Sequence, residues 1–161
     1  KERCDHLVVG ITNPDPTHTQ PDQADPARSL PESNPHTYYE RYRLVTACLL
    51  EAGVYYRQFS VVPFPINQPH LYGYYVPTDA VFFLTIYDHW GRRKHDLLRA
   101  AGLRCHLLWE RDPASKGISA GDVRALMATG QPWQHLVPEA AARLLCEWDI
   151  PVRLATLRAR S

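Results

Sequence analysis

The segment Lys116-Gly117-Ile118-Ser119-Ala120-Gly121-Asp122-Val123-Arg124 carries the most chemistry per residue in this 161-residue chain. A glycine leads into a serine-capped helix start, whose free N–H groups and positive dipole end can hold phosphate, and Arg124 follows as a bidentate donor. That combination suits a polyphosphate. The same residues also describe a plain capped surface helix with an exposed arginine, and local physics alone leans toward that simpler reading.

Two other segments concentrate polar and basic groups. One is Thr12-Asn13-Pro14-Asp15-Pro16-Thr17-His18-Thr19, and the other is Tyr87-Asp88-His89-Trp90-Gly91-Arg92-Arg93. His18 in its polar loop could donate to a phosphate or serve as a solvated turn residue. The tyrosines Tyr72, Tyr74 and Tyr75 could stack on a base or pack beside a loop. His89 and His95 lie six positions apart, off a single helical face, so they do not read as a metal pair, and no metal-ligating residues are assigned. Cys4, Cys48, Cys105 and Cys146 are dispersed with no CxxC pair, as expected of free thiols in a reducing compartment. Neither a GxSxG elbow nor an HExxH motif occurs.

The elements that must position these groups alternate between strand and helix. Leu7 to Ile11 reads as a buried strand, followed by a long proline-rich loop over 13–36. Thr37 to Glu40 is a capping-box pattern opening a helix with Tyr38, Tyr42, Val45, Leu49 and Ala52 on one stripe and Gly53 at its end. Phe59 to Val62, Ala80 to Ile86 and Cys105 to Trp109 read as further strands. The run Ala80 to Ile86 is continuously apolar, so it is expected to be covered on both faces. Helices are expected through Trp90, Leu97 and Ala101, over Ser119 to Thr129, and from Pro138 through Ala141, Leu145 and Trp148. Arg153, Arg158 and Arg160 read as a solvated tail. The sum is one α/β domain with Rossmann-like layering and a mostly parallel sheet. In such sheets ligands bind beyond the carboxyl ends of the strands, where three of the four loops carry the groups described above.

Composition narrows the partners. With 18 Lys and Arg against 17 Asp and Glu, the net charge of +1 gives no electrostatic footprint for nucleic acid or an anionic membrane. The longest apolar run, Ala80 to Tyr87, is eight residues and too short for a span. Lys1 to Thr12 shows no signal-peptide h-region, and the expected setting is soluble and cytoplasmic.

Gly117 to Arg124 resembles the I-S-[TS]-x-x-[IV]-R phosphate motif of the HxGH nucleotidylyltransferase superfamily, stretched by one residue. Val123 to Trp133 and Leu136-Val137-Pro138 resemble the "IRRLM…G…W…LVP" tail of archaeal-type NMN adenylyltransferases. Asp5 to Ile11 with His18-Thr19 is similar to that family's "DELIIGI…SHT". Asn34-Pro35 with Thr37, Glu40 and Arg41 is similar to "NPFTAGER", and Pro63 to Asn67 to "PIPDIN". Arg92-Arg93 is similar to a paired arginine after the fourth strand. The matches run in order from about Asp5 to Pro138.

The resemblance implies in-line attack by an acceptor phosphate or phosphonate oxygen on the α-phosphorus of a nucleoside triphosphate, with release of pyrophosphate and Mg²⁺ on the leaving group. It gives Ser119 and Arg124 to the triphosphate as catalytic groups, with Gly117 and Ile118 beside them and Ile86 and Tyr87 near the base. His18, Arg41, Asn67, Tyr72, Arg92 and Arg93 are implied on the acceptor side. Tyr72 stands where a Trp is usual, and Tyr87-Asp88-His89-Trp90 replaces an Asn-rich segment. These changes favour CTP and a small phosphonate, as in cytidylyltransferases of phosphonate antibiotic pathways, over ATP and NMN. A non-catalytic nucleotide-binding or regulatory domain stands as the other class of reading. The family's first strand, GxFxPxHxGH loop and helix do not occur in this sequence, so they are expected to be truncated from it or supplied by a larger polypeptide, or, on the non-catalytic reading, to have been lost. Homo-oligomerisation is left open.

Overall fold

A computed structural model describes residues 3–13, 15 and 30–159. Its strands are β1 (Leu7–Thr12), β2 (Phe59–Phe64), β3 (Val81–Ile86) and β4 (Arg104–Glu110). Its helices are α1 (Tyr38–Glu51), α2 (Tyr72–Tyr75), α3 (His89–Ala100), α4 (Ala120–Ala128), α5 (Glu139–Glu147) and α6 (Ile150–Arg158). The order is that of an α/β domain, and both strand pairings are parallel.

Local chemistry fixes where the helices start. Thr37 accepts a hydrogen bond from the Glu40 amide at 3.1 Å while the Glu40 carboxylate accepts from the Thr37 amide at 2.8 Å, a reciprocal box that begins α1. Asp88 accepts from the Gly91 amide at 2.7 Å to begin α3, and Ser119 and Asp122 form a second box at α4. The loop expected over 13–36 closes with a 3-10 turn at Pro31–Ser33.

Instead of one continuous sheet, β1 pairs with β2 and β3 pairs with β4 in two separate two-stranded sheets. The floor joining them is a shared apolar cluster of Phe64, Ile66, Tyr72, Leu84, Leu98 and Leu103. Above that floor lies a cleft of about 570 Å³, bordered on one side by Leu7, Val8 and Gly10 of β1 and on the other by Val81 to Leu84 of β3. Among the described residues β1 and β3 each carry one ladder, so each leaves a strand edge unpaired. Gly10 keeps the cleft floor low, because a Cβ there would lie 2.9 Å from the Phe64 Cβ.

The expectation that β3 is covered on both faces is corrected. α3 packs against β3 and β4, where Leu84 and Ile86 are buried, but Val81 and Phe83 on the alternate positions are 45% and 38% exposed. A continuous apolar run shows that a strand can be buried on both faces. It does not show that a second layer is present among the residues that follow it.

The second correction is at the carboxyl end. Of the residues read as a solvated tail, Arg160 lies outside the described residues, and Arg153 and Arg158 belong to α6, in which Ile150 and Leu154 are 0% and 1% exposed. They close a second core with Val123, Met127, Trp133, Ala141 and Leu145 from α4, α5 and the connection between them. The chain 150–157 carries apolar residues at Ile150, Leu154 and Leu157, a helical spacing that its arginines disguise.

Candidate functional site

The carboxyl ends of β3 and β4 are tied together by the Arg111 amide, which donates to the Ile86 carbonyl at 3.0 Å. Between Leu84 and Thr85 the register slips by one residue, so that Thr85 faces Trp109 rather than Leu108. Such a bulge re-aims the side chains beyond it. Trp109 consequently meets Tyr87, its indole N–H donating to the phenol oxygen at 2.8 Å. Cations flank the two rings: Arg111 lies over Trp109 at 5.2 Å and the Lys116 ammonium over Tyr87 at 6.0 Å. Arg92 is paired with Glu110. A cavity of about 520 Å³ opens here, lined by Ile86, Tyr87, His89, Arg92, Glu110 and Arg111 among others.

Lys116 links this cavity to the start of α4, its ammonium standing 3.6 Å from Asp88. Gly117 turns the chain with φ 70° and ψ −151°, a backbone state that side chains with a Cβ resist, so glycine is required there. Ile118 is half exposed. Ser119 is occupied by the cap, accepting from the Asp122 amide at 3.2 Å and donating to the Asp122 carboxylate at 2.7 Å. Those bonds hold the Asp122 carboxyl below its ordinary pKa. The helix end therefore carries its own negative charge. A phosphate here depends on Lys116 and Arg124 for attraction rather than on the dipole alone.

On the other side of the site, half-buried Arg41 donates to the carbonyls of Thr12 at 2.7 Å and Asn13 at 2.5 Å. It thereby holds the turn after β1, where Asn13 adopts φ 50°. Among the described residues, neither its Nε, out of contact with solvent, nor the Asn13 Oδ1 has a hydrogen-bond partner. His36 lies close enough to Arg41, Arg124 and Arg153 for all three to depress its basicity, although burial is the main cause. Its pKa is lowered from 6.5 to about 4, against the opposing pull of Glu40. The charges of Arg41 and Arg124, 83 positions apart in sequence, thus both act on one imidazole.

Arg153 anchors this side, donating to the Pro35 carbonyl at 2.9 Å and to both oxygens of Glu40 at 2.8 Å. That bidentate pair, aided by the Thr37 amide, lowers the Glu40 pKa. The folded state thus holds both Glu40 and His36 below their unfolded pKa values. The stability each contributes is present above the unfolded value and lost as pH falls through the folded one. The expected result is a loss of stability that begins as pH falls below about 6.5 through His36 and continues through the carboxylate range through Glu40. Urea unfolding from pH 7 to pH 4 measures it. Arg153→Ala should cost about 2 kcal/mol at pH 7 by removing charged hydrogen bonds from a largely buried carboxylate, and should flatten the lower part of the slope. A slope unchanged by the substitution refutes the assignment.

The sequence-derived site residues are therefore spread over several places. Ile86, Tyr87 and Arg92 line the β3–β4 cavity, while Arg93, the next residue of α3, is not in its lining. Gly117, Ile118, Ser119 and Arg124 form the approach and first turns of α4, and Arg41 lies at the end of β1. Asn67 is half-buried just past β2. Tyr72 is a core residue, 2% exposed, with its ring 4.5 Å from Phe64 and its hydroxyl donating to the Ile66 carbonyl at 2.5 Å. It reaches a ligand only through the Ile66–Asn67 segment that it supports. His18 lies outside the described residues. Sequence reasoning did not single out Trp109, His36 or Arg153, which the structure brings beside these residues, and it gave Lys116 only as the start of the α4 segment. Trp109 does sit at a strand end, which is a signal that could have found it.

Parallel strands whose carboxyl ends gather arginine and lysine around a cavity define a class, an α/β domain for phosphate-bearing ligands. No family model matches the chain. It is 50% identical over 153 residues, 95% of this chain and 82% of the relative, to the phosphonoformate cytidylyltransferase of Streptomyces viridochromogenes. More distantly it matches the nicotinamide-nucleotide adenylyltransferases of Thermococcus onnurineus and Thermococcus kodakarensis, at 26% and 25% identity over 90% of this chain and 70% of each relative. The chain belongs to the nucleotidylyltransferases of the HxGH superfamily, in the family of that cytidylyltransferase. No described helix is long and apolar enough to cross a membrane.

Proposed function

We propose that this protein transfers CMP from CTP to a small phosphonate acceptor of the phosphonoformate class, releasing pyrophosphate. The observation that carries the reading is identity at half of the positions with a phosphonoformate cytidylyltransferase over most of its length. A phosphonate oxygen attacks the α-phosphorus, the new P–O–P bond forms, and the bond to the β-phosphate oxygen breaks. The protein's task is to bring two anions together and to stabilise charge spreading onto the leaving group. Lys116 and Arg124 serve the triphosphate from the α4 side, Arg41 and Asn67 the acceptor, and the Tyr87–Trp109 pair the base. Arg92 is positioned to assist either anion.

Magnesium fits as an ion brought in by the triphosphate. Among the described residues no three His, Cys, Asp or Glu side chains gather as a cage, and Mg²⁺ commonly binds through substrate phosphates and retained waters. It would neutralise the leaving pyrophosphate. The reading also gives the cleft between β1 and β3 an occupant. One further parallel strand there would satisfy both open edges and merge the two sheets.

The test is pyrophosphate release by the full-length natural protein from CTP with phosphonoformate and from ATP with NMN. The CTP pair is expected to turn over at least tenfold faster. Preference for ATP and NMN would move the protein to the function of its more distant relatives, and no release above an Arg124→Ala control would end the enzymatic reading.

A further inference from the structure

Three acidic side chains, Asp88, Glu110 and Asp112, line the cavity at the carboxyl ends of β3 and β4. Two of them are committed to the backbone. Asp88 accepts from the Gly91 amide to cap α3 and stands 3.6 Å from the Lys116 ammonium, and Asp112 accepts from the Ala114 amide at 2.8 Å to start a 3-10 turn. Glu110 caps nothing. Arg92 donates to its Oε1, and among the described residues no group donates to its Oε2. The pair is exposed, with 60% of the Arg92 side chain and 43% of the Glu110 side chain accessible, so it contributes little to stability.

Phosphate binding does not account for Glu110 either. Both substrates of the proposed reaction are anions, and a carboxylate in this cavity repels each of them while holding a cation that would attract them. What a carboxylate does accept is a hydrogen bond from an N–H or O–H group. Tyr87 lines the same cavity and is bonded to Trp109, so an aromatic surface for a base and an open carboxylate oxygen are found together. Cytosine carries a donor there to be read, its 4-amino group, where uracil carries a carbonyl oxygen. A carboxylate meets the first with a charge-assisted bond and the second with repulsion. We propose, resting on the cytidylyltransferase reading, that Glu110 is a specificity-determining residue whose carboxylate accepts a hydrogen bond from the 4-amino group of the bound cytosine. Arg92 positions it through Oε1 and keeps its remaining N–H groups for an anion. The choice that Glu110 makes is amino over keto pyrimidine, CTP over UTP.

Glu110→Gln keeps the shape and an oxygen for Arg92, but it removes the charge and adds an N–H donor that suits uracil. In steady-state assays of the full-length natural protein with phosphonoformate, the ratio of kcat/KM for CTP to that for UTP should fall about tenfold in Glu110→Gln. The fall should come from a loss on CTP and a gain on UTP. The KM for phosphonoformate should stay within about twofold, and the melting temperature should hold, as expected for an exposed pair.

A fall of less than about threefold in the CTP-to-UTP ratio would overturn the proposal. So would a parallel loss on CTP and UTP, which would put the carboxylate on the ribose, common to both, or leave it only the task of holding Arg92. If the wild-type protein releases no pyrophosphate from CTP and phosphonoformate, the functional reading fails by itself. Glu110 is then read from binding alone, by calorimetric titration with CTP and with UTP. Tighter binding of CTP that is lost in Glu110→Gln sustains the contact, and a preference absent from the wild type or kept by the variant overturns it.

Discussion

Arg124→Ala is expected to lower kcat/KM for pyrophosphate release by a factor of about 10² to 10³, a loss of about 3–4 kcal/mol of transition-state stabilisation. The size of the effect follows from the setting of the residue. Arg124 is half-buried on the second turn of α4, and that helix end already carries the Asp122 carboxylate in its cap. Without Arg124 a triphosphate would meet the bare carboxylate with Lys116 as the nearby counter-charge. Arg124→Lys should restore only part of the rate, since a single ammonium replaces the charge but not the planar two-point grip on phosphate oxygens. Asp122→Asn supplies the control in the other direction. Removing the negative charge should tighten CTP binding while loosening the cap. A rate unchanged in Arg124→Ala would show that the α4 end does not hold the reacting phosphates.

The groups in this site were legible in the sequence to the extent that local chemistry determines them. The capping box of Thr37 with Glu40 and the cap at Ser119 are spacing rules a few residues wide, and both form as read, with Asp122 completing a second box at Ser119. The concentration of polar and basic residues after the strands was visible for the same reason, because an α/β chain returns each strand end to one edge. What sequence could not give is the pairing of distant residues. Arg153 reaches Pro35 and Glu40 across more than a hundred positions, and nothing within a helical turn of it announces that partner. His36 likewise looks like any loop histidine until the fold buries it beside the start of α1 and lowers its pKa. The bulge in β4 is a further case: one residue of slippage turns Trp109 toward Tyr87, and an apolar run gives no signal of register.

The failure at α6 has a different physical origin, and it leads to the second large effect. Arginines at 153 and 158 made the segment look solvated, yet a helix can bury one stripe while long cationic side chains leave it sideways. Leu154, 1% exposed, fills the core in which α4 and α6 meet, alongside Val123, Met127 and Ile150. Leu154→Ala is therefore expected to destabilise the protein by about 3 kcal/mol, combining lost transfer energy with the cavity left behind. Val152→Ala, on the exposed side of the same helix at 64%, should stay within about 0.5 kcal/mol. Urea unfolding with matched slopes makes the comparison. The same substitution also carries a functional consequence, because α4 presents Arg124 and is held from behind by this core. Leu154→Ala assayed well below its melting temperature should raise the KM for CTP more than the KM for the acceptor. The Arg41 side also depends on α6 through Arg153, but it has a second hold in the bonds from Arg41 to Thr12 and Asn13, which Leu154 does not touch. A loss below about 1 kcal/mol would mean that α6 is not docked on α4 in solution, and that Arg153 cannot be holding Glu40 as the structure has it.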